Sequence, residues 1–154
     1  MSPRTGVRPN GTVSQRWLSD HSDVPVHVLQ ALRHRGLLPG LDALRPEDVV
    51  VARAAEATGA HRTSLESASE REHDLTVVRT VRDAMTKKRS PRTLLLVTSN
   101  SAVITSEEHE FLAAKERPRR NGESFVVLPL GVWMAELDAI LEPHAAARGG
   151  SIAA

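Results

Sequence analysis

The spacing of apolar residues changes character once along this 154-residue chain, at Ser90-Pro91. Before it, apolar residues recur at three and four, the period that lines one face of a helix. After it come short solid runs, Leu94–Val97, Ala102–Ile104 and Phe125–Leu130, bounded by polar turn sequence as buried strands are. A chain patterned this way is confined to the α+β class, with helices first and strands later.

The helical part is punctuated. Ser14 can cap a short helix to about His21, to which Trp17 and Leu18 contribute the apolar side. Ser22-Asp23-Val24-Pro25 ends it and starts a second, with Pro25 suited to a first turn. Val28, Leu29 and Leu32 form one face of that second helix, and Gly36 ends it. Leu37-Leu38-Pro39-Gly40 is an apolar exit, and Pro46-Glu47-Asp48 starts a third helix that runs to Gly59. Thr63 with Glu66, and Thr105 with Glu108, have capping-box spacing. From about Ser64 to Lys88 a longer helix is expected, its thin stripe including Leu65, Leu75, Val78, Val81 and Met85. One thin stripe suits packing on another helix, so this element is the expected dimerisation helix.

Beyond Pro91 the reading is strand, turn at Thr98–Ser101, strand, helix over Glu107–Lys115, polar loop over 117–124, strand, and a final helix over Val132–Leu141. The expected divisions are a flexible arm at 1–12, a helical unit at 13–60, the long helix at 61–90, a β-β-α-β-α part at 91–143 and a tail at 144–154.

Composition narrows the function classes. The 40% hydrophobic content supports a packed core. With no cysteine, disulfides, thiolate metal sites and cysteine nucleophiles are all excluded. Met1 is followed by polar sequence with no apolar signal core, and no run is long enough for a membrane span, so a cytoplasmic protein is expected. Seventeen of the 20 basic residues are arginine, in keeping with a GC-rich bacterial source. A net charge of +1 is too small to argue for nucleic acid, but residues 1–45 hold six arginines against Asp20, Asp23 and Asp42. His27 and His34 lie two helical turns apart, beyond the reach of one ion, and His109 among Glu107, Glu108 and Glu110 has no second histidine nearby. Neither a metal nor any other cofactor is called for. Thr98–Ser101 offers hydroxyls without an identifiable base, no phosphate-binding glycine loop is present, and an enzyme is not expected. Trp17 and Trp133 are read as core.

The informative segment is 23–39. A tight turn leads into a helix whose Val/Leu side docks on the helix before it, and whose other side holds His27, Gln30, Arg33, His34 and Arg35. Such side chains donate to phosphates or read base edges in the major groove. The segment resembles the N-terminal DNA-binding domain of MerR-family regulators and their excisionase relatives, in which a Gly-Val-Ser/Thr-Val turn opens the second helix and Gly-Leu-Leu/Ile-Pro closes it. Val24, Val26, Leu29 and Gly36-Leu37-Leu38-Pro39 keep that register, and Pro46-Glu47-Asp48-Val49 resembles the start of the family's third helix. The likeness covers residues 14–58. Asp23 stands where the family has the turn Gly, and Gln30, Ala31 and Leu32 where it has Arg-Tyr-Tyr; the gap from Pro39 to Pro46 leaves room only for a short wing.

The resemblance implies a winged-helix-like helix-turn-helix that binds double-stranded DNA as a homodimer in transcription regulation. Arg16, Pro25, His27, Gln30, Arg33, His34 and Arg35 are the expected DNA contacts. Arg4 and Arg8 in the arm, and Lys87, Lys88 and Arg89 in a second basic cluster with Arg79, Arg82 and Arg92 at the end of the long helix, are candidates for a second contact. The competing reading of that cluster is a solvated helix end whose cations suit the dipole. Two other functions fit the pattern: a protein-protein adaptor whose helical hairpin binds a helix, and a recombination directionality factor. The C-terminal part is open to a protein partner or a ligand.

Overall fold

A computed structural model describes residues 6–60, 68–87 and 90–142. It is an α+β fold of six helices and one three-stranded antiparallel sheet. Helices α1 (Gln15–Ser22), α2 (Val26–His34) and α3 (Asp48–Ala57) come first, followed by the long α4 (Ala68–Thr86). Strands β1 (Leu94–Val97) and β2 (Ala102–Thr105), helix α5 (Glu108–Arg120), strand β3 (Val126–Leu128) and helix α6 (Leu130–Leu141) complete the chain.

Side-chain chemistry sets the helix limits. The Ser14 hydroxyl accepts from the Trp17 amide at 3.0 Å and caps α1. Arg45 N–H donates to Asp48 Oδ2 at 2.8 Å and closes the first turn of α3. At the end of α2, Gly36 takes φ +75°, Gly36 N–H donates to Arg33 O, and Leu37 N–H reaches back to Leu32 O. This is the Schellman arrangement, and its left-handed residue favours glycine. The same pair of bonds ends α3 at Gly59.

Helix α3 is the pivot of the molecule. Seven of its ten residues are buried, and it packs against α1, α2, α4 and α6. The buried apolar residues from Val13 to Leu137 form one contiguous cluster around it. The stripe of α4 (Val77, Val78, Val81, Ala84, Met85) is buried inside this same chain, against α3 and β2. The proposed Thr63–Glu66 cap and Leu65 lie outside the described residues.

In the sheet, β1 is central, in the order β2-β1-β3. Leu95 pairs with Ile104 and Leu128 and faces the main core. Leu96, opposite Val103 and Val127, points to the other face and is buried apart from that core, on the side where α5 lies.

Four expectations change. Residues 117–120, read as loop, are the last turn of α5, with Pro118 inside the helix. Its missing N–H costs only the bond to Ala114 O near the helix end, while its ring is buried and a Schellman turn at Gly122 closes the helix after it. The cap of α5 is not Thr105–Glu108, because Thr105 belongs to β2 and its hydroxyl is buried without a partner. Instead Glu110 accepts from the amides of Glu107 (2.9 Å) and Ser106 (3.0 Å). The final helix starts at Leu130, ending the strand at Leu128. Where a short wing is expected, Leu41–Ala43 form a single 3-10 turn, and no strand is present between α2 and α3.

Candidate nucleic-acid interface

Three local features fix the turn between α1 and α2. Asp23 takes the left-handed conformation (φ 59°, ψ 24°), and its N–H donates to Ser19 O. A short carboxylate side chain tolerates that region better than most, so aspartate serves where a turn glycine is otherwise favoured. Ser19 Oγ donates to Val24 O at 2.7 Å, and Val24 N–H donates to Ser22 Oγ at 3.2 Å. Pro25 then sits at the N-cap of α2, one position earlier than a first-turn proline, and its carbonyl accepts from Val28 and Leu29.

Burying Val28, Leu29 and Leu32 turns the opposite side of α2 outward. His27, Gln30 and His34 are all exposed and fall at i, i+3 and i+7, a continuous polar stripe. Pro25 and Val26 are exposed at its start, and no side chain caps the first-turn amides. Val28 N–H is taken by Pro25 O, which leaves the Val26 and His27 amides, at the positive end of the helix dipole, without a side-chain cap.

The arginines are placed differently from the stripe. Arg33 is half-buried and its Nε donates to Gln15 Oε1 at 3.1 Å, tethering the end of α2 to the start of α1. Arg35 is the half-buried C-cap residue. Arg16, on α1, is widely exposed and 3.9 Å from Asp20, which is also well solvated, a contact of little strength. Arg8 is exposed in a turn over residues 8–12, where its Nη1 donates weakly to Thr12 Oγ1 at 3.4 Å. Arg4, Lys88 and Arg89 lie outside the described residues.

The described members of the second basic cluster are ion-paired. Lys87 meets Asp83 at 2.9 Å, Arg79 meets Glu72 at 3.6 Å, Arg92 meets Glu107 at 4.0 Å, and Arg82 meets the buried Asp48 at 2.7 Å. The last two bridge elements distant in sequence, so this cluster includes fold-holding contacts. Trp133 likewise works between elements. Half-buried, it lies under the Arg53 guanidinium at 4.6 Å, while Arg53 Nη1 donates to Glu136 at 2.9 Å. Arg53 does not stand out from sequence, since an arginine at helical spacing reads as solvated surface, and nothing in the sequence signals that Arg82 reaches back to Asp48.

Among the described residues, no three metal-ligating side chains converge and no helix is long and apolar enough to cross a membrane. No family model, curated protein or solved structure matches the chain.

Proposed function

We propose that this protein is a DNA-binding regulator of MerR-like or excisionase-like type whose α2 lies in the major groove. The supporting observation is the outward stripe His27–Gln30–His34 on a helix docked rigidly by Val28, Leu29 and Leu32. Its imidazole and amide groups suit guanine N7/O6 and adenine N7/N6, and Val26, at 39% exposure, suits a thymine methyl. Arg16 and the first-turn amides of α2 meet phosphates. Arg33 acts mainly as a tether that fixes the angle of α2, with its outer nitrogens left for the backbone of the duplex. Lacking strands beside α2, this reading head holds DNA without a wing, so its phosphate contacts come from α1, the 8–12 turn and Arg35.

The functional unit in this reading is a two-fold dimer on half-sites one helical turn apart. The α4 stripe is occupied within the chain, so pairing falls to exposed apolar residues elsewhere, among them Phe125 and Val126, 36% and 40% exposed at the start of the outer strand β3.

Fluorescence anisotropy with DNA from upstream of the protein's own gene, and with unrelated duplexes, across a salt series tests the reading. Affinity falls steeply with salt and differs between duplexes; Arg16→Ala lowers the salt slope by about one, and Gln30→Ala costs about 1–3 kcal/mol on the preferred site alone. Absence of salt-sensitive binding to any duplex at low salt overturns it.

One observation favours a protein partner instead. Val26 and Leu41, the latter half exposed, are apolar groups on the same helical unit. An adaptor would bind a helix there with little dependence on salt, which the same titration distinguishes.

A further inference from the structure

The second face of the sheet is incompletely covered. Helix α5 crosses it, yet Val103 at the middle of β2 remains 40% exposed. The gap is a cavity of about 320 Å³ between the β1–β2 turn and the last turns of α5. That is at the lower end of the roughly 300–1,000 Å³ range of small-molecule sites. Leu96, Val103 and Pro118 give it an apolar lining. Thr98 and Ser101 add hydroxyls, with Thr98 Oγ1 buried and 2.6 Å from Ser101 Oγ and 3.1 Å from Asn100 Oδ1. Arg117 and Glu123 also line it.

The two charges are the informative part. Arg117 is exposed at the cavity rim and Glu123 is half-buried, and among the described residues their side chains form no ion pair or hydrogen bond with each other or with anything else. Arg92 and Arg120, in the same half of the chain, do pair, with Glu107 and Glu116. A cation and an anion that share one small cavity without meeting leave a separation for a third group to span. The chain fixes where Glu123 enters the cavity, because Gly122 turns the backbone between α5 and Glu123 and Glu123 N–H is held on Pro118 O at 2.8 Å.

We infer that this cavity binds a small zwitterion, an α-amino acid with an aliphatic side chain. Its carboxylate pairs with the Arg117 guanidinium, whose planar fork suits two oxygens. Its ammonium donates to Glu123 and to the Thr98–Ser101 hydroxyls. Its side chain rests on Leu96, Val103 and Pro118. Polar ends fix orientation while the apolar wall supplies contact area, the usual division in a small-ligand site. This site is independent of the DNA reading, because α2 contributes nothing to it.

Amide NMR of the full chain, titrated with L-alanine, L-valine and L-leucine, tests the proposal. Saturable shifts are expected at 98–101, 114–117 and 123. Propionate and isobutylamine, each carrying one charge, are expected to bind at least tenfold more weakly than L-valine. Arg117→Ala and Glu123→Gln each weaken L-valine by tenfold or more, whereas Arg119→Ala, a neighbouring exposed arginine outside the cavity, leaves binding unchanged. Dispersed spectra for each variant establish that it is folded. The proposal is overturned if none of the amino acids gives saturable shifts, if the singly charged probes bind as well as L-valine, or if Arg117→Ala binds like the parent.

Discussion

Arg82 Nη2 lies 2.7 Å from Asp48 Oδ1, joining α4 to the first turn of α3 across 34 residues of sequence. The carboxylate is 1% exposed, and its other oxygen already accepts from Arg45 N–H. A buried carboxylate that loses its cation costs more than a surface pair gains, although the Arg82 side chain, 41% exposed, softens the loss. Arg82→Ala therefore lowers stability by about 2 kcal/mol. Asp48→Ala costs at least as much, because it also releases the Arg45 amide. Urea melts of both single variants and the double variant check this: the double variant falls well short of the sum of the singles.

The turn before α2 makes a backbone prediction. Asp23 at φ 59° is the one non-glycine residue in the left-handed region among those described. Asp23→Gly relieves the steric cost but loosens the unfolded chain, and stays within about 0.5 kcal/mol of the parent. Asp23→Val cannot adopt this conformation readily and loses about 1–2 kcal/mol. Denaturant midpoints separate the two. Equal effects would mean that the turn does not hold the geometry described.

Gly131 is where a single methyl group has the largest expected effect. A Cβ built there would collide with the Ser90 carbonyl oxygen and lie 2.8 Å from the Pro91 carbonyl carbon, both backbone atoms that cannot swing away. Gly131 N–H also donates to Thr93 O at 2.9 Å, locking α6 against the entry to β1. Gly131→Ala is expected to cost about 3 kcal/mol, at the high end for overpacking, and should lower the thermal midpoint more than any other substitution proposed in this section.

The cap of α5 carries a pH signature. The amides of Ser106 and then Glu107 donate to Glu110 and lower its pKa from the ordinary 4.5, and His109 adds to this. Because the folded value is depressed, the stabilisation is fully present above the ordinary carboxylate range and is lost as pH falls through the lowered value. Carboxyl-carbon NMR should show Glu110 titrating below the ordinary glutamate range. The Ser106 and Glu107 amide signals should move along the same curve, and in Glu110→Gln that movement disappears.

Much of the fold is legible from local chemistry. Ser14, Gly36 and Gly59 mark helix limits because each satisfies end groups that no distant residue need supply. The solid runs at 94–97 and 102–105 are strands because short apolar runs bounded by turns have few other uses. The errors fall where tertiary contacts outweigh local preference. Pro118 looks like a helix breaker, but burial of its ring keeps α5 intact to Arg120. Thr105 looks like a cap, but pairing with Leu94 claims it for β2. At the candidate interface, helical period alone turns His27, Gln30 and His34 outward. It could not show that Arg33 bends back to Gln15, since that depends on how α1 and α2 cross. Nor could the cavity beside Arg117 be anticipated, because it exists only where α5 lifts from the sheet.

The central position of α3 bears on modular use of this protein. Its Asp48 depends on Arg82 of α4, and its Arg53 rests on Trp133 and Glu136 of α6. A fragment ending at Ala60 would retain the whole α1–α2 hairpin yet lose every one of those partners. The hairpin is therefore not a portable cassette: transplanted alone onto another protein it would arrive with its foundations missing, and a chimera must carry α4 and α6 with it.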